Sequence, residues 1–310
     1  MGVLDIFPFI LSAVADPTGA SAPPAVQQVR QEEPSILERR VFLAQAPVGV
    51  RYEGAWGGRP EGDVFSGVSY QGLRVNGGVP LAREAAFQVG LGLAYHLRDW
   101  ALDGGEGDAA HLTLHRFTVG LGARLLLDAR WSLQLQGGLL YGSDLSEFRV
   151  QGVQPNLVVS AMYAAGPKWT FVFGAGLSRN LPDYVPLPFL GARWRPAPDV
   201  ELEMYLPQYA QLEWRPFERW SLGVRAVVDG WGGAVEELPE FADPTLVRQL
   251  EVRTAARVQY TLRGPIAAYL EGGVIPLSEV TVHALDGQEL ARSGLGMMGM
   301  LQFGVVIAPR

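Results

Sequence analysis

From Val48 onward the chain repeats one pattern, a stretch of about ten residues in which apolar and polar positions alternate, followed by a turn or loop. In Phe87 to Trp100, Phe87, Val89, Leu91, Leu93, Tyr95 and Leu97 alternate with Gln88, Gly90, Gly92, Ala94, His96 and Arg98. Phe117, Val119, Leu121, Ala123 and Leu125 then stand against Arg116, Thr118, Gly120, Gly122 and Arg124. Later, Leu250, Val252, Thr254, Ala256, Val258 and Tyr260 face away from Glu251, Arg253, Ala255, Arg257 and Gln259. Successive side chains of a strand point to opposite faces, so a period of two predicts strands with one apolar and one polar face.

A soluble sandwich also alternates, but it buries its large apolar face and shows water a face rich in Lys, Glu and Thr. Here the polar face is built from Gly, Ala, Ser, Gln and opposed charges. That mixture suits the crowded inside of a barrel whose apolar face meets lipid. The predicted fold is an all-β, transmembrane, antiparallel up-and-down β-barrel of about fourteen strands, with about twelve as the alternative if the segments around Pro186 to Pro216 pair differently.

Connection lengths point the same way. Short connections are expected near Leu81 to Ala85, Asp128 to Arg130, Ala165 to Lys168, Pro196 to Asp199, Pro216 to Arg219 and Arg263 to Gly264. Between them fall longer ones, Gly57 to Val64, Ala101 to Ala110, Gly142 to Gln154, Arg179 to Pro186, Trp231 to Leu246 and Pro276 to Gly294. Short turns on one side and long loops on the other are the layout of an outer-membrane barrel. The break at Pro207-Gln208 must act as an outer loop for strand parity to be even. Trp56, Trp100, Trp131, Trp169, Trp194, Trp214, Trp220 and Trp231 fall near strand ends, where an interfacial girdle places its aromatics.

Composition narrows the alternatives. With 48% hydrophobic and 18% charged residues, the chain has less charge than a water-covered surface usually carries. Its 38 glycines show no three-residue period, which rules out collagen. Cysteine is absent, so thiol catalysis, thiolate metal sites and disulfides are excluded. Net charge is −7, Lys168 is the only lysine among 25 basic residues, and no basic patch with interleaved aromatics marks a nucleic-acid partner. No apolar run reaches the length of a membrane helix, leaving the barrel as the spanning solution.

Residues 1–22 hold a short apolar run followed by small residues and read as a signal peptide or a disordered tail; Asp5 stands where a signal would carry a positive charge. Residues 23–44, rich in Gln, Glu, Pro and Arg, read as a periplasmic linker or small plug, and 45–310 as the barrel.

The stretch Pro186 to Pro196, with its Gly191-x-x-Trp194-x-Pro196 pattern, followed by Tyr205-Leu206-Pro207 and Tyr209 to Gly230, resembles an uncharacterised family of proteobacterial outer-membrane β-barrels known only as a domain of unknown function. The resemblance extends in layout over about residues 45 to 310 and implies a fold and an outer-membrane location without a reaction. One departure is the end of the chain, which runs Phe303 to Arg310 instead of closing on an aromatic residue.

Candidate chemistry is sparse. His111 and His115, with Asp108, suggest a metal site, but an i, i+4 pair on a strand is about 13 Å apart and does not converge. Ser132, Ser160 and Ser221 lack a neighbouring His, and no Gly-x-Ser-x-Gly element occurs, so no enzyme, cofactor or metal is expected. Gly90-x-Gly92 and Gly120-x-Gly122 lie within strands and cannot cradle a phosphate. The acidic loop Asp99, Asp103, Glu106, Asp108 reads as a solvated loop before a cation site.

The candidate site is the inner face itself. Arg116, Arg124, Glu201, Glu203, Glu213, Arg215, Arg225, Asp229, Glu251, Arg253, Arg257 and Glu271 are expected to line a solute path or to neutralise one another in a closed lumen. Two functions follow: a monomeric channel or transporter for a small solute, or an occluded barrel whose loops, above all Trp231 to Leu246 and Pro276 to Gly294, bind a partner. Bilayer lipid is the implied surrounding in both.

Overall fold

A computed structural model describes residues 48–307, apart from 59–66, 85, 104–109, 181–182, 239–240, 242 and 264. Residues 1–22 and 23–44, read above as signal and linker, lie outside the described residues, as do Glu106 and Asp108. The strands are β1 (Val48–Gly58), β2 (Gly67–Arg83), β3 (Phe87–Asp103), β4 (Ala110–Leu126), β5 (Trp131–Ser143), β6 (Val153–Ala164), β7 (Trp169–Asn180) and β8 (Asp183–Ala197). They continue as β9 (Val200–Leu206), β10 (Tyr209–Phe217), β11 (Trp220–Val235), β12 (Thr245–Arg263), β13 (Ile266–Ala284), β14 (Glu289–Gly294) and β15 (Met298–Ile307).

From β1 to β14 each strand pairs antiparallel with the next, and β15 pairs with both β13 and β1, closing the sheet into a barrel. Both β14 and β15 lie along β13, at Val280↔Ser293 and Ile275↔Met298, so they form one stave broken at Leu295 to Met297. The wall therefore has fourteen staves and even parity. At the seam Tyr52 pairs with Phe303, their rings 5.3 Å apart.

The outer face carries Leu93, Leu121, Leu135, Leu139, Val159, Leu190, Val224 and Leu270, each about half exposed. Beside them on the inner face, His96, Arg98, Arg124, Ser132, Gln136 and Glu271 are buried. This inversion of the soluble arrangement is what the alternation predicts.

Three expectations change. Arg179 to Pro186 was expected as a loop, but β7 and β8 run to Asn180 and Asp183 and pair there. Pro276 to Gly294 is a hairpin. Pro276 sits at an irregularity where Val252 pairs with Leu277 but Thr254 with Val274, the kind of position at which a ladder tolerates proline, and Gly287, at φ 98°, closes a tight turn. Trp100 and Trp231 point inward and are buried, because their parity on β3 and β11 is that of Arg98 and Asp229; Trp56, Trp131, Trp169, Trp194, Trp214 and Trp220 are on the outside.

Strand heights are uneven. β2, β3, β4, β12 and β13 have 17 to 19 residues, whereas β9 has 7 and β10 has 9. Pro207-Gln208 does connect β9 and β10 at the long-loop end, but as a two-residue turn low in the wall. Above it β11 loses its partner: β10 ends at Tyr209↔Val227, while β11 continues to Val235. The end of β11, still paired with β12 on its other edge, meets β5, where Ala234 pairs in parallel with Ser143 and Asp144 N–H donates to the Ala234 carbonyl at 3.1 Å. Glycines permit this backbone contact, since a Cβ on Gly142 would overlap the Gly232 carbonyl and one on Gly233 the Gly142 backbone.

The crossing divides the long-loop end. Between β11 and the tall strands lies an apolar core that includes Tyr70, Trp100, Leu102, Leu112, Leu114, Trp231, Val235, Val247, Ile275 and Met298. A smaller core of Val158, Met162, Val172, Phe189, Tyr205 and Tyr209 fills the low side.

Candidate lumen site

The charged residues of the inner face form separate networks at different heights. The central one joins strands that are not neighbours. Arg98 on β3 donates to Glu53 Oε1 at 2.8 Å and to Gln249 Oε1 at 2.7 Å. Arg253 on β12 reaches Glu53 Oε2 at 2.9 Å, donates through Nε to Glu251 Oε1 at 2.6 Å, and lies 3.6 Å from Asp229. Tyr70 donates to Glu251 at 3.0 Å, and Arg51 stands 3.1 Å from Glu53. The side chains of Arg98, Glu53, Glu251 and Arg253 are 0 to 6% exposed, so this is a dry knot of charges.

Aromatic groups finish the knot. The Trp231 indole N–H donates to His96 Nδ1 at 2.9 Å, which leaves His96 Nε2 to donate to Glu53 at 3.2 Å; a neutral imidazole satisfies both contacts. The Arg98 guanidinium lies 4.1 Å from the Tyr70 ring centroid, and that of Arg116 lies 4.5 Å from Trp231 while donating to the Gly230 carbonyl at 2.8 Å.

Further charge pairs lie between the knot and the short-turn end. Glu271, fully buried, receives both Arg225 and Arg257, the latter at 3.3 Å. Glu213 accepts from Arg215 at 2.8 Å and from Ser221 at 2.7 Å. Glu201 holds Arg193 and Arg195. Arg195 and Arg215 are 38% and 33% exposed, against 0% for Arg98, while Arg124, Ser132 and Thr170 at the same end are buried.

Of the expected residues, Asp229, Glu251 and Arg253 meet in the knot, with Arg116 against its Trp231; Arg225, Arg257 and Glu271 meet below it. Glu213 and Arg215 pair with each other, Glu201 pairs across to β8, and Glu203 accepts from Tyr205 at 3.1 Å. Arg124 is buried nearer the short-turn end. The selection missed Glu53, Tyr70, His96, Arg98, Arg193 and Gln249. The alternation already put His96 and Arg98 on the inner face, but pairing between distant staves was needed to show that they meet β1 and β12.

The low side has a discontinuity in the wall. β8 pairs with β9 only as far as Leu190↔Leu206, while its upper part, up to Asp183, is paired with β7 alone. The outward apolar ladder of β9 is Val200, Leu202, Met204 and Leu206, against six residues, Phe87 to Leu97, on β3. Pro186 and Pro188 lie on the unpartnered stretch. Alternate residues direct their N–H groups to the same side, so both missing donors belong to one edge of β8. Behind the gap, Phe189 packs over Gly174 and Tyr205 over Gly191, and Gln208 is buried with neither amide atom hydrogen-bonded.

Outside the wall, Asp99 accepts from Thr113 at 2.9 Å and from Gln71 at 3.4 Å, and His115 contacts Tyr95 at 2.8 Å. Among the described residues, no group of three His, Asp or Glu is placed to hold a metal ion. In the connection after β5, hydrogen bonds from Arg149 to the Glu236 carboxylate at 2.6 and 2.7 Å hold the guanidinium above its ordinary pKa.

No protein-family model and no curated protein matches the chain. The KdgM porin in complex with disordered oligogalacturonate is similar over 85% of this chain and all of its own, at 8% identity and a TM-score of 0.34. A bacterial polysaccharide outer membrane secretin covers 85% of this chain and 98% of its own at 13% identity and a TM-score of 0.38. The translocator domain of the autotransporter NalP from Neisseria meningitidis covers 84% and 87% at 10% identity and a TM-score of 0.36. At these scores the likeness is no argument for a shared activity.

Proposed function

We propose that this chain is an integral outer-membrane barrel, with the long-loop end outside the cell and both barrel termini on the periplasmic side, and that its lumen is occluded at rest. The observation that carries the reading is the dry knot of Arg98, Glu53, Glu251 and Arg253 beneath an apolar core. An aqueous pore would leave these charges wet and leave no reason to stack Trp100, Leu114, Ile275 and Met298 above them. In this reading function resides in the tall outer rim of β2 to β4 and β11 to β14, which presents its hairpins to a partner. Purified protein in a planar bilayer is expected to conduct at background; steady ohmic conductance by the unmodified chain would overturn it.

The graded exposure of the inner charges favours a second reading, a gated channel for a small solute. Arg195, Glu201, Glu213 and Arg215 would then be the periplasmic binding vestibule and the knot its gate. Solute-dependent conductance bursts would select this reading over the first.

A further inference from the structure

Two arginines stand side by side on the inner wall. Arg51 on β1 pairs directly with Arg74 on β2, and the same cross-strand line continues to His96 on β3 and Arg116 on β4. Directly opposite residues of an antiparallel pair have Cα atoms about 4.5 to 5.5 Å apart, and like charges placed so destabilise the sheet. The rest of the lumen does not cancel them. Glu53, Asp229, Glu251 and Glu271 face its middle, but Arg98, Arg225, Arg253 and Arg257 already equal them in number and contact them. Nearer the short turns, Arg193, Arg195 and Arg215 equal Glu201, Glu203 and Glu213 in the same way. The inner positions that flank the pair, Gly49, Asn76, Ala94 and Gly304, bring no charge.

Both guanidinium groups have donors to spare. Arg51 Nη2 stands 3.1 Å from Glu53 at an angle that makes no hydrogen bond, and Arg51 Nε is buried without an acceptor. Among the described residues, Arg74 makes no hydrogen bond and no ion pair; Asp229 and Glu53 act on it only from beyond ion-pair range. Arg51 is 17% exposed and Arg74 half-buried although both point inward, so space lies against them inside the wall, just below the dry knot.

We infer that Arg51 and Arg74 together bind one tetrahedral oxyanion, phosphate or sulfate, in the lumen. A guanidinium presents its N–H groups as a planar fork that fits a pair of oxygens on one centre. A carboxylate has one such pair and serves one fork, whereas a tetrahedral oxyanion has a pair for each. Its charge of about −2 offsets the two facing arginines, and Arg116 on the same line adds attraction. The site depends on the inward face of the barrel and goes beyond the occlusion proposed above, since it exists whether the lumen is closed or gated.

The test is equilibrium dialysis of the full chain, folded from urea into detergent, against radiolabelled inorganic phosphate supplied either during folding or afterwards. One phosphate per chain, displaced by sulfate and not by acetate, is the expected result. Arg74→Gln should weaken binding about tenfold, the worth of one charge-assisted hydrogen bond, and Arg51→Gln with Arg74→Gln should abolish it. Both variants relieve a like-charge contact and should fold, which a slower mobility on boiling checks for each. Arg292→Gln, on the exposed β14 hairpin, should bind as the wild type does. Uptake after folding supports the site in an accessible lumen; uptake only during folding supports it behind a closed one. No bound phosphate in folded wild type under either condition, or equal binding by the double variant, overturns the site. Displacement by acetate as readily as by sulfate overturns the tetrahedral ligand.

Discussion

Arg253 on β12 and Glu53 on β1 meet at 2.9 Å across the barrel interior, although two staves separate their strands in the wall. The contact is part of what makes the lumen a packed interior. Taking two charges out of water costs several kcal/mol per ion, an amount recovered only when every remaining hydrogen-bonding position is used. Glu53 is met here by Arg51, His96, Arg98 and Arg253, and Glu251 by Tyr70, Gln249 and Arg253.

Breaking that pair should be costly. Arg253→Gln leaves Glu251 and Asp229 short of a counter-charge in a dry site, and removal of one partner of a buried pair typically costs about 3 to 5 kcal/mol. Arg257→Gln should be much milder, because Arg257 is about one-fifth exposed and Arg225 remains on Glu271. Urea unfolding in detergent, followed by Trp fluorescence, reads the difference. Equal midpoints for the two variants would mean that the knot is wet.

The facing of the wall has its own test. Leu121 is 55% exposed on the outer face, so Leu121→Arg puts a charge into hydrocarbon at a cost of about 2 to 4 kcal/mol near the midplane. Gln259 faces inward and accepts from Arg257 at 2.6 Å, so Gln259→Glu gives that guanidinium an ionic partner and should assemble normally. Folding into vesicles, scored by heat-dependent mobility, distinguishes the two. Equal insertion would invert the face assignment.

The strand pattern was legible because a period of two survives in every stave, as in Phe87 to Leu97, and because Asp128 to Arg130 or Ala165 to Lys168 leave room only for tight turns. Inner or outer placement could also be read, since parity alone puts Arg124 and Glu271 inside. The crossing of β11 could not. Val227 and Val235 look equivalent along the chain, and only the end of β10 at Tyr209 makes the later segment seek β5. Trp100 and Trp231 misled for the same reason: their position near a strand end suggested a girdle, whereas the taller wall carries them into a core of its own.

The glycine contact between β5 and β11 should be intolerant of size. Gly142→Val places a branched side chain against the Gly232 carbonyl and should detach β11 from β5 while leaving the lower wall paired. Increased protease cleavage between Val235 and Thr245, with heat-dependent mobility retained, is the expected outcome. Wild-type resistance would mean that β11 does not depend on this contact.

Acid should loosen one turn before the barrel. The Asp128 carboxylate accepts from the N–H groups of Arg130 and Trp131 at 2.6 and 2.8 Å, which lowers its pKa below the ordinary 3.8. A carboxyl depressed in the folded state stabilises above its unfolded pKa and loses that contribution as pH falls through the folded value. Amide exchange at Arg130 and Trp131 should therefore be slow from pH 7 to about pH 4, after correction for intrinsic rates, and accelerate only below that. In Asp128→Asn, exchange should no longer depend on a titration in this range. An Asp128 transition above pH 4 would contradict the two bonds.

The low side of the wall offers a way to decide where an opening would occur. Phe189 packs over Gly174 and Tyr205 over Gly191, filling the space behind the short β9–β10 hairpin, while the tall side is closed by the charge knot. These are independent seals, because the crossing of β11 stands between them. Removing the two rings together, Phe189→Ala with Tyr205→Ala, deletes large buried side chains; each Phe→Ala change in a core costs about 3 to 5 kcal/mol where the cavity stays empty, and less where water can enter. A passage on the low side would therefore show a modest stability loss together with new steady conductance. A passage through the tall side would instead show the full stability loss and background conductance, and would open only when Arg253 and Arg98 are replaced. Planar-bilayer recordings of the two double variants, with urea midpoints measured on the same preparations, separate these outcomes. Background conductance in both, with folding retained, would rule out a latent pore and leave the outer rim as the working surface.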